Sequence, residues 1–160
     1  PDSYVTYNYA ENTWVVGTLD RNVWLDAQGF KNTPFAFDAD ARLYNHESGN
    51  SADGDAMNCF IESGELEIDE TGNRTFLIDK IVPDVTLTTN TNLFIEFKCK
   101  KYPNGTEITK GPFTVTSSTQ KLSTRAKGRQ IAIKYSSTGT NDEWSLGDFR
   151  INATEDSFRW

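Results

Sequence analysis

Residues 93–100 decide the fold class, because they read Leu-Phe-Ile-Glu-Phe-Lys-Cys-Lys with an apolar side chain at every second position. A period of two is typical of a β-strand with one buried face. The turn sequence Tyr102-Pro103-Asn104-Gly105 follows almost at once. We therefore predict a strand over 93–100 whose Leu93 and Cys99 point to the core.

The same period recurs on both sides of this strand, and no window of a dozen residues sustains a helical apolar period. Six or seven strands in about 100 residues, separated by turn sequences, predict an antiparallel, immunoglobulin-like β-sandwich over 57–160. The predicted strands are Met57–Ile68 with a kink at Ser63-Gly64, Arg74–Val82, Leu93–Lys100, Pro112–Thr116, Arg129–Ser136 and Trp144–Asn152. The predicted core consists of Ile61, Leu66, Ile68, Phe76, Ile78, Ile81, Val85, Leu87, Leu93, Ile95, Phe97, Phe113, Val115, Ile131, Ile133, Tyr135, Trp144 and Leu146.

The first 49 residues predict a separate group of four short strands with the size of one β-propeller blade. A single blade cannot bury both faces, so we expect residues 1–49 to complete a larger sheet region supplied by other residues or by a neighbouring subunit. Trp14 and Trp144 sit in strand alternation and are predicted core residues. Residues 50–56 hold no large apolar side chain and are the predicted linker. The four strands are Tyr4–Tyr9, Thr13–Thr18, Pro34–Asp38 and Arg42–Glu47.

Charge is distributed unevenly along a chain of net charge −7. Residues 1–56 hold nine acids and three bases, whereas residues 98–134 hold nine bases and one acid. A basic stretch of this kind faces DNA phosphates, an acidic neighbouring subunit, or only water. The basic residues are Lys98, Lys100, Lys101, Lys110, Lys121, Arg125, Lys127, Arg129 and Lys134. The predicted acidic partner surface comprises Asp20, Asp26, Asp38, Asp40, Asp53 and Asp55.

Several function classes find no support in the residues. The mean hydropathy is −0.59, and no apolar run approaches the roughly 20 residues of a membrane span, so we predict no membrane insertion. Cys59 and Cys99 belong to no metal or redox motif, and we expect two free cysteines on the apolar sides of their strands. His46 is the only histidine and has no identifiable catalytic partners. We predict a non-enzymatic protein with no cofactor and no metal.

A carbohydrate- or receptor-binding module is the main alternative. Such a module requires an exposed aromatic pair beside carboxylates, and Trp24 and Trp160 are the tryptophans that the strand pattern leaves free. A secreted adhesin domain is a further alternative and would require oxidised cysteines.

Two groups of segments together resemble virion proteins of short-tailed bacteriophages. The first group resembles the closing strands of a propeller-like region, and the second resembles the carboxy-terminal β-sandwich of the same proteins. The first group is Tyr7-Asn8-Tyr9, Thr13-Trp14, Gly17, Arg21, Trp24, Asp26, Tyr44, His46-Glu47 and Gly49. The second is Ile61-Glu62-Ser63-Gly64, Val82-Pro83-Asp84, Gly111-Pro112-Phe113-Thr114-Val115, Arg125-Ala126-Lys127-Gly128-Arg129-Gln130, and Trp144-Ser145-Leu146-Gly147 with Arg150.

The resemblance implies a structural component of the phage tail, such as a hub, nozzle or DNA-stabilising protein. Copies would form a homo-oligomeric ring, commonly a hexamer, around the channel that holds and ejects DNA. Portal, adaptor and other tail proteins would be its partners, with assembly in the host cytoplasm and a final location in the virion. It also implies that several hundred residues precede Pro1, consistent with a fragment, a processed product or one domain of a longer chain. Within such a ring, we expect the acidic first segment of one subunit to face residues 98–134 of the next.

Overall fold

A computed structural model describes residues 2–27, 29, 31–68, 74–88 and 91–156. Every regular element in these ranges is a β-strand, which confirms the predicted all-β class. The chain forms two compact units, an N-terminal unit of Pro1–Gly49 and a C-terminal unit of Asn50–Trp160. Within the described ranges there is no helix with the length and apolar character of a membrane span.

The N-terminal unit contains two small sheets in place of one four-stranded blade. β1 and β2 pair as an antiparallel hairpin, and β3, β4 and β5 form a second antiparallel sheet in that order. The three residues of β3 were not among the predicted strands, because Val23–Leu25 is too short to show a period. The strands are β1 (Ser3–Asn8), β2 (Thr13–Thr18), β3 (Val23–Leu25), β4 (Phe35–Phe37) and β5 (Leu43–Asn45).

The C-terminal unit is built from two main antiparallel sheets and two short strand pairs. One main sheet has the order β12-β11-β14-β8, the other has the order β13-β9-β16, and β10 pairs with β15. The strands are β6 (Ser51–Ala52), β7 (Asp55–Ala56), β8 (Cys59–Glu62), β9 (Thr75–Val82), β10 (Val85–Leu87), β11 (Leu93–Lys100), β12 (Ile108–Val115), β13 (Leu122–Gly128), β14 (Gln130–Ser137), β15 (Trp144–Leu146) and β16 (Arg150–Asp156).

Strand β11 carries the alternation that identified the fold, and it lies in the middle of its sheet between β12 and β14. Its Leu93, Ile95, Phe97 and Cys99 are buried, and the residues between them are partly exposed. The buried side chains pack against those of the opposing sheet in one core. That core includes Phe76, Ile78, Ile81, Leu93, Ile95, Phe97, Cys99, Val115, Leu122, Ala126, Ile131, Ile133 and Tyr135.

Two predicted core residues are wrong, since Ile61 is 51% exposed and Ile68 is 46% exposed. The predicted strand Met57–Ile68 explains both errors, because only Cys59–Glu62 forms a strand. Ile61 therefore lies on an edge strand with a single neighbour. Beyond Gly64, Leu66 forms an isolated bridge with Ile131 and Glu67 accepts a hydrogen bond from Gln130, but Ile68 belongs to no strand and is exposed.

Residues 51–56 of the predicted linker form a small hairpin in place of irregular chain, with β6 paired to β7. Asp53 and Gly54 connect the two strands with φ of 54° and 88°. Positive φ at both positions is what a two-residue hairpin turn requires, and Asp-Gly is a sequence signal for it.

Both cysteines are free, as predicted. Cys99 is buried in the core, and this burial raises the pKa of its thiol. Cys59 is only half-buried, because it lies at the start of the edge strand β8.

Candidate functional site

Three lysines of the basic stretch lie on the outer face of the four-stranded sheet, where glutamates pair with them. Lys98 donates to both carboxylate oxygens of Glu62 at 2.7 Å. Lys100 donates to Glu65 at 2.6 Å, and Lys134 lies 3.6 Å from Glu96 on the adjacent strand. The pKa values of Lys98 and Lys100 are raised, chiefly by their hydrogen bonds to Glu62 and Glu65. The sheet face is therefore a lattice of ion pairs and not a positive patch.

Two more residues of the basic stretch are also engaged within the C-terminal unit. Lys127 on β13 is 2.5 Å from Asp156 on β16. The Arg129 guanidinium lies 5.1 Å from the centre of the Tyr102 ring, a cation–π distance. Glu107 belongs to the same stretch and lies 3.9 Å from Lys100. The other pairing acids come from outside 98–134: Glu62, Glu65 and Glu96 lie before it, and Asp156 lies after it. Counting charges along the sequence did not anticipate this pairing.

Charge is uneven along the sequence, but the two units do not have net charges of opposite sign. The N-terminal unit holds seven acids and three bases, and the C-terminal unit holds 16 acids and 13 bases. Both units are therefore net negative. Attraction between an acidic unit and a basic unit does not follow from this composition.

Four cations of the stretch are exposed and make no ion pair with the described residues: Lys101, Lys110, Lys121 and Arg125. Lys110 lies on β12, while Lys121 and Arg125 lie just before and within β13. β12 and β13 are the edge strands of the two main sheets, and they adjoin each other at one side of the sandwich. Lys110, Lys121 and Arg125 therefore place positive charge, unpaired among the described residues, at this β12/β13 edge.

The predicted acidic residues belong to several different turns and to both units. Asp38 organises a turn, because its carboxylate accepts the backbone N–H groups of Asp40 and Arg42 at 2.9 Å each. Tyr44 donates its hydroxyl to the same carboxylate. These bonds, above all the one from the Arg42 backbone N–H, hold the pKa of Asp38 below its usual value.

The other predicted acidic residues lie elsewhere in the sequence. Asp20 lies just after β2, and Asp26 accepts the indole N–H of Trp24. Asp53 and Asp55 belong to the β6–β7 hairpin of the other unit.

The prediction that Trp14 is a core residue is wrong, because its side chain is 68% exposed. Trp14 on β2 lies opposite Tyr7 on β1, and their rings stack with centroids 4.5 Å apart. Val5 and Val16 form the next cross-strand pair on the same face and are also exposed. On the other face, the Tyr4 ring covers Gly17, where a Cβ would lie 2.5 Å from the ring. We call the residues of β1 and β2 the aromatic hairpin.

His46 and Trp24 form a second aromatic contact, with ring centroids 4.5 Å apart. Partial burial, and then the nearby Arg21, lower the pKa of His46. Arg21 itself stacks on the Tyr44 ring at 3.7 Å. His46 thus lies among packing partners, while Trp160, the other free tryptophan, lies outside the described residues.

Within the described ranges, no three side chains of His, Cys, Asp or Glu come together in a way that holds a metal ion. No known protein family and no curated protein sequence matches this chain. The candidate functional site therefore rests on the surfaces themselves: the aromatic hairpin and the β12/β13 edge.

Proposed function

We propose that this chain is a structural, non-enzymatic subunit of a short-tailed bacteriophage tail, in which copies associate into a ring around the DNA channel. The resemblance to virion proteins supports a place in the phage tail. The exposed aromatic hairpin supports association between copies, and it is the single observation that carries the proposal.

The aromatic hairpin has too much exposed apolar surface for a free element. Val5, Trp14 and Val16 are 64%, 68% and 75% exposed on one face. An isolated two-stranded hairpin is at best marginally stable in water. A contiguous exposed apolar patch marks an interaction surface in a soluble protein. Both properties support a hairpin that is covered when the protein acts.

A second copy of the chain is the proposed cover. In a head-to-tail arrangement, every copy presents the same hairpin to the next, and a rotation that closes gives a ring. Because this contact is apolar, we expect rising salt to leave the ring intact. Four of the nine bases of the stretch form ion pairs within the C-terminal unit, and the proposed apolar contact does not depend on pairing the others with acids of another subunit.

The β12/β13 edge supports a secondary contact with DNA. Lys110, Lys121 and Arg125 make no ion pair with the described residues and suit phosphate groups, which proteins bind without regard to sequence. Such a contact weakens steeply with salt, which separates it experimentally from the apolar ring contact.

Carbohydrate binding is the second candidate function, and one observation favours it. Trp14 and Tyr7 form an exposed aromatic pair, and Glu11 and Asn12 lie beside it, with Asn12 bonded to the Tyr7 hydroxyl. The two rings, however, are stacked at 29° to each other. They cover one another and do not lie side by side as a flat platform for a sugar.

Light scattering coupled to size exclusion, over a range of protein and salt concentrations, tests the ring. We expect the chain to form a closed oligomer, and Val16→Lys to dissociate it, because a charge at this exposed position opposes burial without disturbing the fold. Ile108→Lys is the matched control, since Ile108 is an exposed apolar residue on an edge strand of the other unit. It should leave the oligomer unchanged.

Two results would contradict the proposal. A chain that stays monomeric at every concentration would exclude the ring. An oligomer that persists in Val16→Lys would exclude the hairpin from the interface. Glycan-array binding by the monomer, lost in Trp14→Ala, would establish the carbohydrate alternative instead.

A further inference from the structure

The C-terminal unit contains an apolar cavity of about 140 Å³ beside the edge strand β8. An apolar cavity of about 150 Å³ is large enough to bind benzene. The cavity is lined by Ile61, Glu62, Ser63, Ile133, Tyr135, Leu146 and Phe149.

Tyr135 is the unusual member of this lining. Tyr135 is 1% exposed, and its hydroxyl has no hydrogen-bond partner among the described residues. Buried hydroxyl groups in folded proteins normally have a partner, so each exception asks for an explanation. The hydroxyl oxygen itself is shielded, so Tyr135 contributes apolar surface to a cavity that is suited to an aromatic ring.

The strand next to the cavity has an unprotected edge. Among the described residues β8 pairs only with β14, and of its four residues Phe60 and Ile61 are 67% and 51% exposed. The remaining charge, Glu62, is already neutralised by Lys98. Natural sheets avoid such edges, which invite pairing with another strand.

The other edges of the two main sheets carry the usual protection. β12 contains Lys110 and Pro112, and a proline has no N–H to offer an incoming strand. β13 and β16 both have register shifts where they meet β9, and both carry charged residues. Among the described strands of the two main sheets, β8 is the edge that remains open.

We propose that β1 of a second copy adds to the open edge of β8, with one of its aromatic rings in the cavity against Tyr135. This proposal rests on the proposed ring function and identifies the surface that covers the aromatic hairpin. The sequence of β1, Ser-Tyr-Val-Thr-Tyr-Asn, is uncharged, so the addition buries no unpaired charge. Its outer edge pairs with no other described strand, because β1 is found in a two-stranded sheet with β2.

Side-chain alternation determines which residues of β1 reach the cavity. Val5 and Tyr7 share the wide apolar face of the hairpin with Trp14 and Val16. Cys59 and Ile61 share the inner face of β8. Directly opposite residues in paired strands point to the same side of a sheet. Val5 and Tyr7 should therefore lie on the same side as Cys59.

Paired variants on two edge strands test the docking site in the full chain. Ile61→Lys places a charge at the cavity and should shift the oligomer to monomers at least tenfold more readily on dilution. Ile108→Lys is the matched control, because Ile108 is equally exposed, at 50%, on the protected edge β12. Circular dichroism of both variants verifies that the sandwich is intact.

Cross-linking to the native Cys59 tests the pairing itself. Paired strands bring opposite Cα atoms within the 4.4–6.8 Å that a disulfide spans. Under mild oxidation, Val5→Cys, which keeps the Tyr7 ring, should give disulfide-linked oligomers, whereas Tyr4→Cys and Thr6→Cys should not. Adding Cys59→Ser to each variant should abolish the product, since Cys99 is buried.

The outcomes separate this proposal from the ring proposal. An oligomer that dissociates in Val16→Lys but persists in Ile61→Lys keeps the ring and overturns β8 as its docking site. Disulfide dimers of the unmodified chain through Cys59 would show β8 pairing with β8, which also overturns it. Cross-links within a single chain exclude the second copy, and a monomer at all concentrations overturns both proposals.

Discussion

Replacing Tyr135 by Phe should stabilise the dissociated protein, an unusual direction for a core substitution. The ring stays, so packing against Phe149 at 5.7 Å is kept, and only the unpartnered hydroxyl is removed. A buried polar group without a partner costs about 1–3 kcal/mol. The small void left by the oxygen offsets part of this gain, so we expect the free energy of unfolding to rise by about 1 kcal/mol.

Ser137→Ala is the matched control, because it lies two residues further along β14 and should act in the opposite direction. The Ser137 hydroxyl is buried and accepts the indole N–H of Trp144 at 3.0 Å. Its loss leaves that N–H unpaired, and we expect a decrease of about 1–3 kcal/mol. Thermal and urea unfolding at low protein concentration measure both variants. For a unit of about this size, 1 kcal/mol corresponds to a shift of roughly 4 °C in Tm.

Alkaline pH provides an independent signature of the Tyr135 hydroxyl. Burial raises the pKa of Tyr135 above its ordinary value near 10. The folded state then keeps a proton that the unfolded state releases, so stability is unaffected below pH 10 and falls above it, by about 1.4 kcal/mol per pH unit. Tyr135→Phe lacks this decline. If Tyr135→Phe instead lowers stability by 1 kcal/mol or more at pH 7, the hydroxyl has a partner and the reasoning fails.

Three further substitutions test contacts elsewhere in the two units. Lys98→Ala should lower the free energy of unfolding by about 1 kcal/mol; in a double-mutant cycle with Glu62→Gln, the two losses should not add, because the pair is partly buried. Asp38→Ala should lower the Tm of the N-terminal unit at pH 7. The wild type should lose the same stability as pH falls below the unfolded pKa near 3.9 and through the lowered folded pKa, so both proteins should melt alike in strong acid. Gly128→Ala should destabilise the sandwich by about 1–3 kcal/mol in urea unfolding, because the added Cβ would lie 2.9 Å from the Gln130 carbonyl oxygen.

The sequence predicts the sandwich well where strands are long and central. The alternation in β11 and β14 identifies the buried face correctly at Ile95, Phe97, Ile133 and Tyr135, because a central strand has neighbours on both sides and an opposing sheet. At the edge the same alternation fails. Ile61 follows the period as strictly as Ile95, but burial depends on what lies beside the strand, and the period does not contain that information.

The candidate site was predicted less well, for reasons specific to its residues. Trp14 has the alternation of a core residue, and its exposure depends on the absence of a covering layer in the described structure. Conversely, the bases of the basic stretch lie close together in the sequence and so predict a positively charged binding surface. The fold places Glu62 beside Lys98 across 36 residues, and four of the nine bases form ion pairs within the C-terminal unit.

Both units have exposed apolar surface, and each surface lacks a feature that the other could supply. The aromatic hairpin has exposed side chains and no core of its own. β8 borders a core, but its outer edge pairs with no described strand and the cavity beside it is unfilled. Stability and assembly should then depend on different parts of Tyr135. The change to Phe stabilises the dissociated chain by removing an unpartnered hydroxyl, but it keeps the ring that lines the cavity, so we expect assembly to persist. A Tyr135→Phe variant that melts higher and assembles as the wild type does would show that the apolar wall of the cavity, and not the hydroxyl, serves the partner.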